Sequence, residues 1–202
     1  MRTSDAPKQQ AGRNSQAGMT LIELMIAMVV LAIGMAGVMI LITSAIATNS
    51  RNKGDTTGTM VAQMVLEKLA SYPASQNGLI TITDCRPAAQ GGPQNLTIST
   101  AAAALPAGAG AQLDPNGLGT INWAQNLAAV PANYQMTYWV CGAQGTAAPY
   151  DIRWNIAQMT VAGGTTYTKL IVVSARPLGV LGGAAQGMYY QPPVTLRTIT
   201  SM

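Results

Sequence analysis

Glu23 is the one ionisable side chain in a run of 24 residues, Met19 to Ile42, whose other members are apolar or nearly so. Taken as a helix at 1.5 Å per residue, the run reaches about 36 Å, enough to cross a hydrocarbon core of about 30 Å. A carboxylate at the centre of such a span costs on the order of 3 kcal/mol, and less near an end, so an intramembrane Glu demands a cation. Scission between Gly18 and Met19 would create one, because the new α-amino group of Met19 would lie at the same depth on a neighbouring copy. At about 4 Å and an effective dielectric near 20 that attraction is worth roughly 4 kcal/mol before desolvation is subtracted. The chemistry of this spacing is an ion pair that aligns apolar helices side by side.

Groups for catalysis are scarce. The sequence has no His, six acidic residues after Gly18, no Gly-x-Ser-x-Gly, no phosphate-binding Gly-rich loop and two Cys, too few for a closed zinc site. The chain reads as a non-enzyme with no cofactor and no metal. Asp84, Asp114 and Asp151 are the carboxylates a calcium ion would draw on, but they are scattered, whereas calcium takes clustered oxygen ligands. Turns and solvated strand faces are their ordinary use. Arg153, Lys169, Arg176 and Arg197, beside Trp139 and Tyr167, are the set a nucleic acid would engage, against a weak electrostatic footprint. Asn95-Leu96-Thr97 has the spacing of an N-glycosylation acceptor, a three-residue pattern frequent by chance.

Charge gives the topology. The formal net charge is +4, and Arg2, Lys8 and Arg13 against Asp5 contribute +2 of it ahead of the apolar run. From Met19 onward eight basic residues face six acidic ones, and only 9% of the chain is charged, which suits a packed fibre. The basic residues before the span place the N-terminus in the cytoplasm by the positive-inside rule, with everything after Ile42 outside the inner membrane. That compartment permits disulfides, and Cys85 and Cys141 either form one, closing a loop of about 56 residues worth about 2–4 kcal/mol, or stay as two buried thiols. Two plainer readings compete for the apolar run. Ser44-Ala45-Ile46-Ala47 offers an A-x-A secretory cut, but the run exceeds the roughly 7–15 residues of a signal-peptide core. A single-pass anchor that assembles with nothing leaves Glu23 without a role.

The elements that carry these residues follow from periodicity. Val61, Met64, Val65, Leu69 and Tyr72 continue a helical pattern to Pro73, so one long helix is expected from Met19 to Tyr72, with Gly34, Gly37, Gly54 and Gly58 as its weak points. Strands are expected at Leu79–Asp84, Gln94–Thr100, Tyr134–Cys141, Tyr150–Thr160, Thr166–Arg176 and Val194–Thr200, with a turn at Asp114-Pro115-Asn116-Gly117 and Gly-rich turns such as Gly163-Gly164. Trp123–Ala129 is expected as a short helix and Ala101–Gly110 as a mobile, low-complexity stretch. Within the fourth strand Tyr150, Ile152, Trp154 and Ile156 share the face toward the helix, with Asp151, Arg153 and Asn155 opposite. Met188, Tyr189 and Tyr190, in the loop Pro177–Pro193, form an apolar cluster suited to a subunit contact or to folding back over the sheet. One helix followed by an antiparallel meander is an α+β chain.

Gly18-Met19-Thr20-Leu21-Ile22-Glu23-Leu24 resembles the type III signal of type IV pilins and pseudopilins: a short basic leader, a cut after Gly, and Glu at the fifth mature position. The resemblance covers Gly18 to about Tyr72. It implies a prepilin peptidase that cleaves after Gly18 and N-methylates Met19, with Glu23 pairing to a neighbouring terminus. It also implies a pilin-like fold and assembly with other pilins or pseudopilins, through the N-terminal helix, on an inner-membrane platform. Most members have Phe where this chain has Met19, and the chain has no Phe. Ala32-Ile33-Gly34-Met35-Ala36-Gly37, with no helix-bending proline, is more similar to PilV-type minor pilins and minor pseudopilins than to a major subunit. A Cys85–Cys141 bridge would likewise differ from the C-terminal loop that the bridge frames in many major pilins. The expected organisation is a leader at 1–18, a membrane or filament-core helix at 19–42, its amphipathic continuation at 43–73 and a β domain at 74–202 in the periplasm. The expected function is that of a minor type IV pilus subunit in assembly, initiation or a tip complex. A minor pseudopilin of a type II secretion system and a tip adhesin or DNA-binding minor pilin are the alternatives.

Overall fold

Fifty residues without a proline form one helix, α1 (Leu21–Ala70). Ser71 closes it, its N–H donating to the Glu67 carbonyl and its hydroxyl to that of Lys68, and Pro73 lies just beyond. A computed structural model describes residues 19–116, 119–142, 147–160, 166–178 and 192–201. The chain falls into two units, Met1–Thr48 and Asn49–Met202. In the first, every described residue from Met19 to Ile46 is exposed. Its hydroxyls fold back on their own helix, as Thr43 does by donating to the Met39 and Ile40 carbonyls, so this surface presents few unsatisfied polar groups.

The second unit is built on a sheet. A small antiparallel hairpin joins β1 (Leu79–Thr83) and β2 (Asn95–Ser99). The main sheet comprises β3 (Ala103–Ala104), β4 (Ala109–Gly110), β5 (Gln135–Cys141), β6 (Ala147–Thr160), β7 (Thr166–Pro177) and β8 (Val194–Ser201). The last four form the antiparallel meander expected from the sequence, while β3 pairs parallel to β6 and makes the sheet mixed. β6 is its centre. One edge of β6 is covered in succession by β5, β4 and β3, and the other by β7.

Tyr150, Ile152, Trp154 and Ile156 form the expected apolar face, each at most 3% exposed, in one core with Val61, Ala62, Val65 and Leu69 of α1. Gly54 and Gly58 lie where α1 meets the sheet. A Cβ on Gly58 would sit 3.6 Å from Val194 and 3.7 Å from Tyr150, whose hydroxyl donates to the Gly54 carbonyl at 3.3 Å. Of the four glycines read as weak points, Gly54 and Gly58 lie where the helix meets this ring, while Gly34 and Gly37 have no neighbour within 4 Å of the position a Cβ would take.

Several expectations are corrected. Asp151, Arg153 and Asn155 do not face water: they are 3%, 3% and 1% exposed, because the segment 101–130 covers that side of β6. Ala101–Gly110, expected to be mobile, supplies β3 and β4. Asn155 holds it by donating to the Ala107 and Ala111 carbonyls at 3.0 and 2.8 Å. Gly110, at φ +112°, lets the Ala111 N–H reach the Trp154 carbonyl at 2.9 Å, where any side chain would strike that carbonyl and Tyr134. Of Trp123–Ala129 only Leu127–Ala129 is helical, a single 3₁₀ turn capped by Asn126. The Gly163-Gly164 turn and Met188, Tyr189 and Tyr190 lie outside the described residues.

Cys85 and Cys141 form a disulfide with Cα atoms 5.1 Å apart, and the Cys85 N–H donates to the Trp139 carbonyl at 2.9 Å. The bridge fastens the end of the β1–β2 hairpin to the outer end of β5. Replacing both cysteines by serine is expected to lower the stability of the second unit by about 2–4 kcal/mol, read from denaturant midpoints of the full chain in detergent. An unchanged midpoint would mean that strand pairing alone holds the hairpin.

Candidate functional site

The N-terminal turn of α1 is shaped by Thr20. Its carbonyl accepts from the N–H groups of Glu23 and Leu24 at 3.1 and 3.2 Å, and its hydroxyl accepts from the Glu23 N–H at 3.4 Å. Thr20 is thus the N-cap, and Thr-x-x-Glu is the spacing of a capping box. Reading the run only for apolar content missed this role, although the pattern was present in the sequence. Glu23 stands in the first turn, where the positive end of the helix dipole favours a negative charge. Met19 is 69% exposed beside it, and Gly18 lies outside the described residues.

Beyond this turn the helix is an exposed hydrocarbon surface. Leu21, Ile22, Leu24, Met25 and Ile26 are all at least half exposed, and the pattern holds as far as Ile46. Such a surface is far larger than the few hundred Å² of contiguous apolar patch that a monomer leaves in water. The helix is long and apolar enough to cross a membrane.

Residues 13–39 match the prokaryotic N-terminal methylation motif. No curated protein and no solved structure matches the chain. The motif is the signal of type IV pilins and prepilins, and it supports a pilin or pseudopilin subunit anchored by an apolar helix, a structural subunit rather than an enzyme. It implies processing by a prepilin peptidase and assembly with other pilins.

The remaining candidates are dispersed. The Asp84 carboxylate accepts from the Gln94 N–H at 2.7 Å and pairs with Arg86 at 3.3 Å. Asp114 accepts from the Asn116 N–H, the expected turn, and Asp151 pairs with Arg153 at 3.0 Å and Arg176 at 3.6 Å. Asp84, Asp114 and Asp151, the carboxylates weighed for a calcium ion, occupy separate places, and among the described residues no three metal-ligating side chains converge. Most of the basic set is likewise engaged within the protein. Arg153 donates to the Gln125 carbonyl at 2.8 Å, and the guanidinium carbons of Arg153 and Arg176 lie 4.6 and 4.5 Å from the centre of the Trp123 ring. These contacts clasp the loop before β5 to the sheet. Lys169 is 4% exposed and donates to the Gln76 carbonyl, Asn77 Oδ1 and the Thr100 carbonyl at 2.6, 3.2 and 3.2 Å. Of the four cations weighed for nucleic acid only Arg197 is exposed, and it has a partner of its own. Trp139 is half-buried in β5, and the side chain of Tyr167 lies outside the described residues. Asn95 opens β2 and accepts from the Thr83 hydroxyl at 2.8 Å.

Burial lowers the Lys169 pKa below its ordinary 10.5. The unfolded chain then holds its proton to higher pH than the folded one, so this residue adds stability as pH rises from the lowered value toward 10.5. Burial raises the Tyr138 and Tyr150 pKa values, an effect of opposite sign that a Lys169→Met variant keeps. The stability of the parent chain relative to Lys169→Met should therefore increase as pH rises toward 10.5, measured by denaturant titration of both proteins; a flat difference would contradict the shift.

Proposed function

We propose that the protein is a minor, PilV-type subunit of a type IV pilus, acting in assembly, initiation or a tip complex. The observation that carries this reading is Glu23, the lone carboxylate of the exposed apolar run Met19 to Ile42, standing in the first turn of α1 inside a matched methylation motif. Prepilin peptidase cuts after Gly18 and methylates Met19. The apolar helix waits in the inner membrane with the sheet in the periplasm. Glu23 draws the α-amino group of Met19 from a neighbouring subunit, and the helix passes from lipid into a filament core. The proline-free helix with its small residues at Ala32, Gly34, Ala36 and Gly37 supports a minor rather than a major subunit, since such residues let helices approach closely. The same features serve a minor pseudopilin of a type II secretion system, the second reading. A tip adhesin or DNA receptor draws no support from the internal basic residues.

Mass spectrometry of the mature N-terminal peptide, from membranes and from sheared surface filaments of the native host, separates these readings. Methyl-Met19 in the sheared fraction is the expected result. Methyl-Met19 confined to membranes would favour the secretion pseudopilus, and an uncut Met1 would overturn both. In the same host Glu23→Ala should abolish incorporation into filaments while cleavage proceeds. Normal amounts of the variant in sheared filaments would remove the charge pair from the mechanism.

A further inference from the structure

Immediately after the exposed apolar surface, α1 changes character. Asn49, Asn52, Lys53 and Thr56 recur at helical spacing on one stripe and, with Thr57, line an open hollow of about 410 Å³. The hollow contains one cation and no carboxylate. Thr56 spends its hydroxyl proton on the Asn52 carbonyl at 2.8 Å, and Thr57 is bonded to Tyr150, so the donors that remain are the Lys53 ammonium and the amides of Asn49 and Asn52. Arg51 has a partner within the protein. The charge of Asp55 bears on Tyr150, and Asp55 is not among the lining residues. A cluster of N–H donors about a single ammonium fits a phosphate monoanion carrying hydroxyl-bearing substituents.

Chain order says where that anion comes from. At 1.5 Å per residue, a bilayer of about 40–45 Å with its headgroups takes about 27–30 helical residues, which counted from Met19 end between about Ala45 and Thr48. Asn49 to Thr57 follow at once, and Lys53 is the last basic residue before Lys68. We infer that this hollow seats the headgroup of an anionic phospholipid, such as phosphatidylglycerol, where the helix leaves the bilayer. The inference rests on the membrane-spanning reading of the apolar helix.

The test is native mass spectrometry of the full-length chain released from detergent with phosphatidylglycerol or phosphatidylcholine, two lipids of the same chain length. The parent protein should retain the anionic lipid about fivefold over the neutral one, the factor that a single basic residue at an anionic surface supplies. Lys53→Gln combined with Asn49→Ala should abolish the preference, and Lys53→Arg should keep it. Equal retention of the two lipids by the parent, or a preference unchanged in the double variant, would overturn the proposal. Loss of bound phosphatidylglycerol on adding millimolar inorganic phosphate would also overturn it, in favour of a free-anion site. Alkaline extraction of host membranes keeps the two readings apart. Parent and double variant should both remain in the pellet, and release of the parent would refute the span itself.

Discussion

A strand covered on both faces sets the terms for the second unit. Eight successive residues of β6, Tyr150 to Ala157, are buried, and three of them are polar or charged. A lone buried charge is strongly unfavourable, so each of these side chains must find its partner inside. Asp151 is answered by two guanidinium groups, and Asn155 by two backbone carbonyls. Of those partners Arg153 stands on β6 itself, Arg176 on β7, and the two carbonyls on the long connection between β2 and β5. The polar layer therefore decides where an otherwise patternless connection lies. The buried ion pairs contribute little net stability against an apolar replacement, but they make one placement of that connection far better satisfied than others.

The opposite face imposes a different constraint, on α1. Its stretch from Thr48 to Thr59 is rich in Thr, Asn and Gly, each of which costs about 0.5–1 kcal/mol against Ala in a helix interior. Propensity alone would not sustain helix there. Tertiary contact supplies what propensity lacks. The Tyr150 ring lies against Gly58 and its hydroxyl reaches the Gly54 carbonyl, while Val61, Val65 and Leu69 enter the core one turn further on. Two of the glycines that weaken the helix locally, Gly54 and Gly58, are thus in contact with the ring that helps to hold it.

Much of this was legible in the sequence. The apolar run and Pro73 marked α1, and alternation with Gly-rich punctuation placed six strands to within about three residues at each end, because both signals are local. The even count of cysteines offered a Cys85–Cys141 bridge beside two buried thiols, and the structure forms the bridge. Burial of Asp151, Arg153 and Asn155 did not, since alternating polar residues look the same whether water or a loop covers them. Nothing periodic announces the cover either. Ala103–Ala104 and Ala109–Gly110 join the sheet through backbone groups alone, in a segment whose Ala and Gly carry no side-chain pattern. Thr20 was legible as a cap and was overlooked because its neighbours read as membrane.

That cap bears on how firmly Glu23 needs a partner. A negative charge in the first turn of a helix gains about 0.3–1 kcal/mol from the helix dipole, and up to about 2 kcal/mol in favourable partly buried geometry. A carboxylate at mid-membrane costs on the order of 3 kcal/mol, and less toward the edge. The dipole thus offsets a good part of the cost while the helix waits at the membrane edge, and a single subunit can persist there without an external cation. Deeper in an apolar environment the cost rises, and the dipole of its own helix no longer suffices. A second cation then becomes decisive, and under the proposed cut after Gly18 the terminal amine of an adjacent subunit would arrive at the same depth with the same helix. On these magnitudes Glu23 tolerates the membrane edge alone but favours company in an apolar core, which in the proposed assembly would make it a discriminator between the free and the assembled subunit rather than a simple anchor.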